Sequence, residues 1–289
     1  MLRKKLYLSV VLIALLFTRV YCEDRFPETP EPIKIMSFNI QIFGASKMAK
    51  PEVAEILASI LSQADIIAVQ EVRSQNIEPV EKLMSLLPAK YDYVLGPRQG
   101  RSSSKEQYWI IYNSEKFTIK EMDSWLDEDN IFERSPYAVY FKTKGTFDFI
   151  IINNHIQPGA AEKEIKALPK VAAYYVKLWN DPDIMLVGDF NADGQYFDKT
   201  LLGTIFPEID YRIIFTYEDT TVAGGHHTYD RFIISSSALK YFTGNFGVLR
   251  FDEIHNFIEK SISPKQVSDH YPIWAEFLQD PVAANEAVK

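Results

Sequence analysis

The stretch Ile184-Met185-Leu186-Val187-Gly188-Asp189-Phe190-Asn191 places a short apolar run directly before a carboxylate and an amide side chain. An apolar run of four to eight residues that ends in turn-forming residues is typical of a buried strand. We therefore predict a strand over residues 184–189 that carries Asp189 and Asn191 to the end of a sheet.

Polar side chains also occur at the ends of other predicted strands. They are Asn39 at the end of 33–40, Glu71 at the end of 65–72, His155 after 147–154, Asp230 at the start of 230–235, and Asp269 with His270 before 271–277. Strand ends can converge on one rim of a sheet, where the backbone supports their side chains rigidly. We expect these side chains to form one site.

The remaining periodicity mixes helices with strands in both halves of the chain. Amphipathic spacing predicts helices at 51–63, 76–87 and 162–179, and short apolar or aromatic runs predict strands at 91–95, 107–112, 117–122, 138–142 and 246–249. This pattern favours an α/β fold of the α+β type, a four-layer sandwich in which two mixed β-sheets pack face to face with helices on the outside. No linker interrupts the middle of the chain, so we expect one domain over residues 23–289.

The first 22 residues have the pattern of a signal peptide. Arg3, Lys4 and Lys5 precede an apolar run at 6–17, which is too short to span a bilayer. We therefore expect a secreted monomer, extracellular or periplasmic, without stable membrane insertion. A lipoprotein anchored at Cys22 is the weaker alternative, because Tyr21 stands where a small residue is usual.

The composition of the sequence shows how the fold can be stabilised and which partners it can bind. Cys22 is the only cysteine of the sequence, so no disulfide can form within the chain. The net charge is −8, and residues 23–289 carry 27 basic and 39 acidic residues, because the first 22 residues contain four basic residues and no acidic one. A protein that binds nucleic acid by charge alone should be basic. The acidic balance instead suits an enzyme that approaches phosphate through a metal ion.

The residue types at the strand ends indicate which metal and which chemistry to expect. Carboxylate and amide oxygens without thiolates suit hard cations such as Mg²⁺, Mn²⁺ or Ca²⁺. The five histidines form no zinc-ligand pattern. A phosphodiester fits such a rim, since a cation can neutralise charge in its transition state and histidine moves protons near neutral pH.

Seven short runs carry a family resemblance. They are SFNI at 37–40, QEVR at 70–73, KEQY at 105–108, HIQP at 155–158, GDFNAD at 188–193, YDR at 229–231 and SDHYP at 268–272. In this order they resemble the motif series of the endonuclease/exonuclease/phosphatase superfamily, and the deoxyribonuclease I branch most closely. The resemblance runs from about residue 33 to residue 277. Any single run is weak, but seven in family order are strong.

The resemblance implies a secreted metal-dependent endonuclease that hydrolyses DNA to 5′-phosphate ends. Its metal, Mg²⁺ or Mn²⁺ with Ca²⁺ as a further candidate, would be held by Glu71 with Asn39 and Asp269. Proton transfer would fall to His155, oriented by Glu106, and to His270, oriented by Asp230; which histidine is the acid stays open. Asp189 and Asn191 would bind phosphate or metal and position the attacking water. Substrate contacts would come from Arg73, Arg134 and Tyr108.

The sequence also departs from this branch. Ser104 stands where the mammalian enzymes usually carry a tyrosine that packs in the minor groove, and Gly194 and His227 stand at the positions of a cysteine pair.

Other interpretations stay open at this point. Within the superfamily they are a sphingomyelinase-like or inositol-phosphate phosphatase and an abasic-site endonuclease, although the YDR and KEQY runs favour a deoxyribonuclease. Outside it, a non-catalytic binding module could keep the same scaffold. Taken singly, Asn39, Asp189 and Asn191 could cap turns, and Arg73 and Arg134 could equally be surface charges.

Overall fold

Two six-stranded sheets form the centre of the computed structural model, which describes residues 31–222 and 224–281. The twelve strands in these residues are β1 (Ile33–Phe43), β2 (Ile66–Val72), β3 (Tyr91–Leu95), β4 (Gln107–Asn113), β5 (Thr118–Ser124), β6 (Tyr137–Lys142), β7 (Asp148–His155), β8 (Ile184–Asp189), β9 (Tyr211–Ile213), β10 (Asp230–Ser235), β11 (Phe242–Val248) and β12 (Ile273–Phe277). The predicted signal peptide and Cys22 lie outside the described residues.

Each sheet contains one parallel pair of strands beside antiparallel pairs. The first sheet has the order β11-β12-β1-β2-β4-β3, and the second has the order β5-β6-β7-β8-β10-β9. The parallel pairs are β1 with β2 and β7 with β8. Both sheets are therefore mixed, and each brings the carboxyl ends of two neighbouring strands to one edge.

Helices cover the outer faces of the sheets. They are α1 (Ala45–Met48), α2 (Pro51–Leu61), α3 (Glu78–Met84), α4 (Ala161–Trp179), α5 (Leu202–Ile205), α6 (Phe251–Ile254) and α7 (Pro264–Val267). Leu57 of α2 packs with Phe38 and Val69 of the first sheet. Leu168 of α4 packs with Ile152 and Leu186 of the second sheet.

A third apolar layer joins the two sheets. Alternate strand residues face inward there, so Ile35 and Ala68 of the first sheet share a cluster with Phe149 and Val187 of the second. Because strand side chains alternate between faces, each sheet buries one face against helices and the other against its partner sheet. The four-layer sandwich predicted from the sequence is confirmed. None of the helices in the described part of the chain is long and apolar enough to cross a membrane.

Some element boundaries differ from the predicted ones. The helix predicted at 76–87 covers only Glu78–Met84, and the short strand Tyr211–Ile213 had no clear periodicity in the sequence. Strand β1 runs past its predicted end to Phe43, and its pairing with β2 shifts between Asn39 and Phe43. Gln41 and Ile42 take left-handed backbone conformations there, with φ of 47° and 49°.

Candidate active site

The candidate site lies between the two sheets, at the carboxyl ends of β1, β2, β7 and β8. In the second sheet, Asp189 pairs with His155 of β7 on one side and with Asp230 of β10 on the other. Residues that pair directly across strands point to the same face of a sheet. Three of the predicted site residues therefore lie side by side.

His155 is held at both its ring and its main chain. Its Nδ1 atom hydrogen-bonds Oε1 of the buried Glu106 at 2.6 Å, and its main-chain N–H donates to the Tyr108 hydroxyl at 2.8 Å. A carboxylate at Nδ1 favours a proton on that atom and leaves Nε2 free for chemistry. The Nε2 atom lies 3.6 Å from Oδ2 of Asp189.

His270 has an equivalent arrangement on the other side of Asp189. Its Nδ1 atom hydrogen-bonds Oδ2 of Asp230 at 2.8 Å, and its Nε2 atom lies 3.5 Å from the same Oδ2 atom of Asp189. Burial alone would lower the pKa of His270, but the charges of Asp230 and Asp189 raise it well above its usual value. Burial likewise opposes ionisation of Asp189, yet the two histidines and two hydrogen bonds hold its pKa below the usual value.

Asn39 connects the two sheets at the site. Its Nδ2 atom donates to Oδ2 of Asp189 at 3.0 Å and to Oε1 of Glu71 at 3.2 Å. The Oε2 atom of Glu71 accepts from the main-chain N–H of Ile42 at 2.9 Å. The irregular end of β1 therefore holds the carboxylate of Glu71 in place. The amide of Asn39 sets the distance between this carboxylate and Asp189 of the second sheet.

The turn after β8 depends on two backbone conformations. Gly188 has φ of +138°, and a Cβ atom there would lie 1.9 Å from the carbonyl oxygen of Asn154, so only glycine fits. Asn191 has φ of 48°, a conformation that asparagine tolerates better than most residues. Its N–H donates to Oδ1 of Asp189 at 2.9 Å, and its side chain donates to the carbonyl of Ile156 at 2.9 Å.

A second amide bridge between the sheets involves residues one or two positions before the site residues Glu71 and His155. Gln70 donates to Oδ1 of Asn153 at 2.7 Å, and Asn153 donates to the carbonyl of Val69 at 3.1 Å. Both side chains are fully buried. Buried polar groups that pair with each other specify one arrangement, so this bridge fixes the alignment of the sheets beneath the site.

The two predicted substrate-binding arginines lie in different environments. Arg73 is 29% exposed and forms an ion pair with Glu71 at 3.0 Å, with its Nε atom 3.7 Å from Glu106. Arg134 is only 10% exposed; its Nε atom donates to the carbonyl of His155 at 3.0 Å and lies 3.2 Å from Glu106. Burial opposes the charge of Glu106, but His155 and both arginines hold its pKa below the usual value. Arg73 can reach a substrate, whereas Arg134 mainly supports the His155 pair.

Tyr108 lies beneath the site and not on its surface. Its side chain is 1% exposed, and its hydroxyl accepts the hydrogen bond from the main chain of His155. Burial raises its pKa well above the usual range. This position gives Tyr108 a supporting contact with β7, and its burial does not fit the substrate contact that the resemblance implies.

Lys47 contributes to the site although no sequence signal singled it out. Its Nζ atom donates to the carbonyls of Ile40, Gln41 and Val267 at 2.5 to 2.7 Å. Burial lowers its pKa to about 8, although Asp269 and Glu71 act in the opposite direction. The lysine therefore joins the irregular end of β1 to the loop that carries Asp269 and His270.

Ser268 makes a parallel connection. Its Oγ atom donates to the carbonyl of Asn39 at 2.6 Å and accepts from the N–H of His270 at 3.1 Å. Ser268 belongs to the SDHYP run, and its position next to Asp269 was the one signal that could have indicated this role.

Two groups of side chains could hold a metal ion. The first is the predicted one: Glu71 and Asn39 are in contact, and the side chain of the half-buried Asp269 makes no hydrogen bond or ion pair with any residue in 31–222 or 224–281. In the second, one ligand atom each of Asp189, Asp230 and His270 lie within 4.8 Å of one another. The imidazole of that group already lies between its two carboxylates. Within the first group, Oδ1 of Asn39 accepts from the main-chain N–H of Gln41 at 3.0 Å, so the carboxylates of Glu71 and Asp269 are its principal oxygen ligands.

Aromatic rings lie beside His270. The ring of Tyr229 is 6.3 Å from His270, and His227 stacks on Tyr229 at 4.9 Å. A Cβ atom on Gly194 would lie 3.0 Å from the His227 ring, so these two residues pack together at the positions where the resemblance implies a cysteine pair. His227 thus has a packing role here.

Comparisons with known proteins identify the family of this chain. The model of the "Endonuclease/Exonuclease/phosphatase family" matches residues 36–270. Chicken (Gallus gallus) deoxyribonuclease-1 is 34% identical over 263 residues, which cover 83% of this chain and 90% of the relative. Human deoxyribonuclease-1 is 32% identical over 258 residues, with the same coverage.

Solved structures share the fold at lower identity. A mannosyl-6-phosphatase from Bacteroides thetaiotaomicron superposes with a TM-score of 0.61 at 18% identity, covering 85% of this chain and 99% of its own. A likeness at that level shows the fold alone, since one fold can host several reactions. The family match and the 30–34% identities, by contrast, extend over most of the sequence. The chain is therefore a deoxyribonuclease I-like phosphodiester hydrolase of the endonuclease/exonuclease/phosphatase family.

Proposed function

We propose that this protein is a secreted, divalent-metal-dependent endonuclease that cleaves DNA and leaves 5′-phosphate ends. One observation carries the proposal: the Nε2 atoms of His155 and His270 lie 3.6 and 3.5 Å from the same carboxylate oxygen of Asp189, and each ring has its own carboxylate at Nδ1. Two oriented imidazoles that face one point can transfer protons to and from the attacking and the leaving oxygen of a phosphate bound there.

The two imidazoles supply the proton transfers of hydrolysis. One Nε2 atom takes the proton of the attacking water, and the other gives a proton to the leaving 3′ oxygen. The water oxygen forms a bond to phosphorus. The bond between phosphorus and the 3′ oxygen breaks, which leaves a free 3′-hydroxyl. Glu106 and Asp230 fix the orientation and the tautomer of the two rings.

The donor set fits a hard divalent cation. Glu71, Asn39 and Asp269 offer carboxylate and amide oxygens, and no thiolate exists among residues 23–289. When bound, Mg²⁺ or Mn²⁺ would supply positive charge to phosphate oxygens, on which negative charge accumulates in the transition state. Asp189 and Asn191 would contact the phosphate and position the water. Ca²⁺ is a further candidate for the same oxygen ligands.

The names of the relatives and the exposed arginine favour DNA as the substrate. The relatives with 30–34% identity are named deoxyribonucleases, and Arg73 places a partly exposed guanidinium next to Glu71. Arginine suits bidentate contact with phosphate oxygens. Ser104 is exposed, and its small side chain offers less contact in a minor groove than a tyrosine would.

Organisation and location are part of the proposal. We infer a single domain over 23–289 and a monomer, because both sheets contribute to one site. Secretion rests on the basic, apolar and small-residue pattern of residues 1–22.

A plasmid-nicking assay tests this function. The full chain is incubated with supercoiled DNA and with Mg²⁺, Mn²⁺ and Ca²⁺ titrated separately, and EDTA is then added. We expect nicking with Mg²⁺ or Mn²⁺, its loss in EDTA, and a fall of about 10²–10⁴-fold in the His155→Ala and His270→Ala variants. The matched control is His226→Ala, because His226 is 91% exposed and outside the site. Release of phosphate from phosphoinositide, or cleavage of sphingomyelin, without nicking of DNA would overturn the proposal.

A further inference from the structure

A cavity of about 560 Å³ lies beside the edge strand β9, and none of the residues assigned to the candidate active site lines it. Its walls come from four parts of the chain: residues 199–208, residues 211–217, Arg231 of β10 and the strand β11. Small-molecule sites in proteins span roughly 300–1,000 Å³. The cavity is therefore large enough for a ligand of nucleotide size.

Positive charge predominates in this cavity. Lys199, Arg212 and Arg231 line it together with a single acidic residue, Glu208. Lys199 also pairs with Asp193 at 3.2 Å, whereas Arg212 forms no ion pair within residues 31–222 and 224–281. The protein as a whole carries a net charge of −8, so the charge of this cluster is opposite in sign to the net charge. A concave surface lined by one sign of charge raises the local concentration of the opposite sign. The cavity should attract a small anion.

Arg231 is the most unusual of these residues because it is fully buried, and burial lowers its pKa to about 10 although the charges of Asp193, Asp230, Glu218 and Asp189 act in the opposite direction. Its Nη1 and Nη2 atoms donate to the carbonyls of Asp230 and Ala192, at 3.2 and 2.8 Å. Its Nε atom has no hydrogen-bond partner, and no carboxylate among residues 31–222 and 224–281 lies within ion-pair distance. A buried charge is costly unless another charge compensates it. Nearby acids compensate part of the cost here, and an anion in the adjacent cavity would add to that compensation through the electrostatic potential, without direct contact.

The remaining walls are aromatic and aliphatic. Tyr217 is 85% exposed, and its ring lies 5.7 Å from the Nζ atom of Lys199. Phe246 is 38% exposed, and Phe206 and Tyr211 line the same cavity. Stacking of a nucleobase on an aromatic side chain is worth about 1–3 kcal/mol and does not depend on the identity of the base. An exposed ring next to a lysine thus suits a flat aromatic group that carries a phosphate.

We propose that this cavity is a second ligand site that binds a nucleoside monophosphate. The phosphate lies near Lys199 and Arg212, and the base packs against Tyr217. Arg231 contributes positive potential from beneath the cavity. Binding at this site involves no hydrolysis, so it stands independently of the proposed nuclease reaction.

Calorimetric titration of the full chain with thymidine 5′-monophosphate in EDTA tests this site without any turnover. We expect saturable binding of one molecule per chain, at least tenfold tighter than that of thymidine or of inorganic phosphate. Arg212→Gln and Tyr217→Ala each change an exposed side chain and should weaken binding at least fivefold.

Two matched variants locate the binding. Lys177→Gln removes an exposed charge from helix α4, and Arg73→Gln removes one from the candidate active site; both should leave the affinity unchanged. Three results would overturn the proposal: no saturable binding up to millimolar nucleotide, equal affinity for inorganic phosphate, or loss of binding in Arg73→Gln with full binding in Arg212→Gln. Nuclease activity can be present or absent in any of these cases, so the two proposals fail separately.

Discussion

The amide of Asn39 donates to the Oδ2 atom of Asp189 at 3.0 Å, although the two residues are 150 positions apart and belong to different sheets. The same amide also donates to Glu71. One neutral side chain thus separates two carboxylates that would otherwise repel each other. This arrangement requires that residue 39 be a hydrogen-bond donor without negative charge.

Replacing Asn39 tests that requirement. Asn39→Ala leaves buried acceptors unpaired and should lower the free energy of unfolding by about 1–3 kcal/mol. Asn39→Asp should cost more, because it adds a third carboxylate beside Asp189 and Glu71. Urea denaturation checks the order. Equal stability of the Asp variant and the wild type would show that the amide does not separate these charges.

The two arginines should have separable effects on DNA cleavage. Arg73→Gln removes a partly exposed guanidinium, so we expect a higher KM and a smaller dependence of binding on salt, by about 0.9 in the logarithmic slope if one phosphate contact is lost. Arg134→Gln removes support from Glu106 and His155, so kcat should fall and KM should change little. Steady-state kinetics at several salt concentrations check both. The reverse pattern would contradict the positions seen here.

Glu106→Gln should reduce kcat strongly without unfolding the protein. A glutamine amide can donate to Nδ1 of His155, which would move the ring proton to Nε2 and remove the atom that accepts a proton. We expect a fall of at least about 100-fold, measured by plasmid nicking, with unchanged circular dichroism. Glu162→Gln is the matched control, since Glu162 is an exposed acid on α4. Full activity in Glu106→Gln would exclude the tautomer role.

Asp193 should stabilise the fold in a pH-dependent manner. Burial opposes its charge, but the N–H groups of Thr228 and Gly194 and the ammonium of Lys199 hold its pKa below the usual value. A depressed native pKa contributes stability above the unfolded pKa of about 3.9, and that contribution is lost as the pH falls through the native value.

Asp193→Asn checks this pH window. The variant should be about 1–3 kcal/mol less stable than the wild type at pH 7, and the difference should shrink towards pH 3. Urea denaturation at pH 7, 5 and 3 measures it. A difference that stays constant over this range would assign the effect to packing.

The sequence predicted the layers well because they follow from local periodicity. The alternation of β1 and the apolar run of β8 depend on neighbouring residues, and both strands appear where they were expected. The short strand Tyr211–Ile213 has too few residues to show a period, and it exists because β10 offers it an edge. The left-handed turn at Gln41 and Ile42 depends on Glu71, which lies about 30 positions away.

The candidate site was predicted through its motifs, and its supporting contacts were not. His155, Asp189, Asp230 and His270 converge as expected from strand ends. In the sequence, Lys47 cannot be distinguished from a surface lysine, because only the tertiary structure brings its three carbonyl partners together. Arg134 and Tyr108 carry no signal that separates a buried support from a substrate contact, since burial is decided by how the loops pack.

The left-handed pair Gln41 and Ile42 also has a consequence for engineering. Non-glycine residues in that conformation cost about 1–3 kcal/mol each, and the cost is greatest for a β-branched side chain such as isoleucine. A selection for heat resistance should therefore recover glycine at position 42. Such a variant would gain melting temperature and keep the hydrogen bond to Glu71, because glycine takes the same backbone conformation without steric cost and retains the N–H.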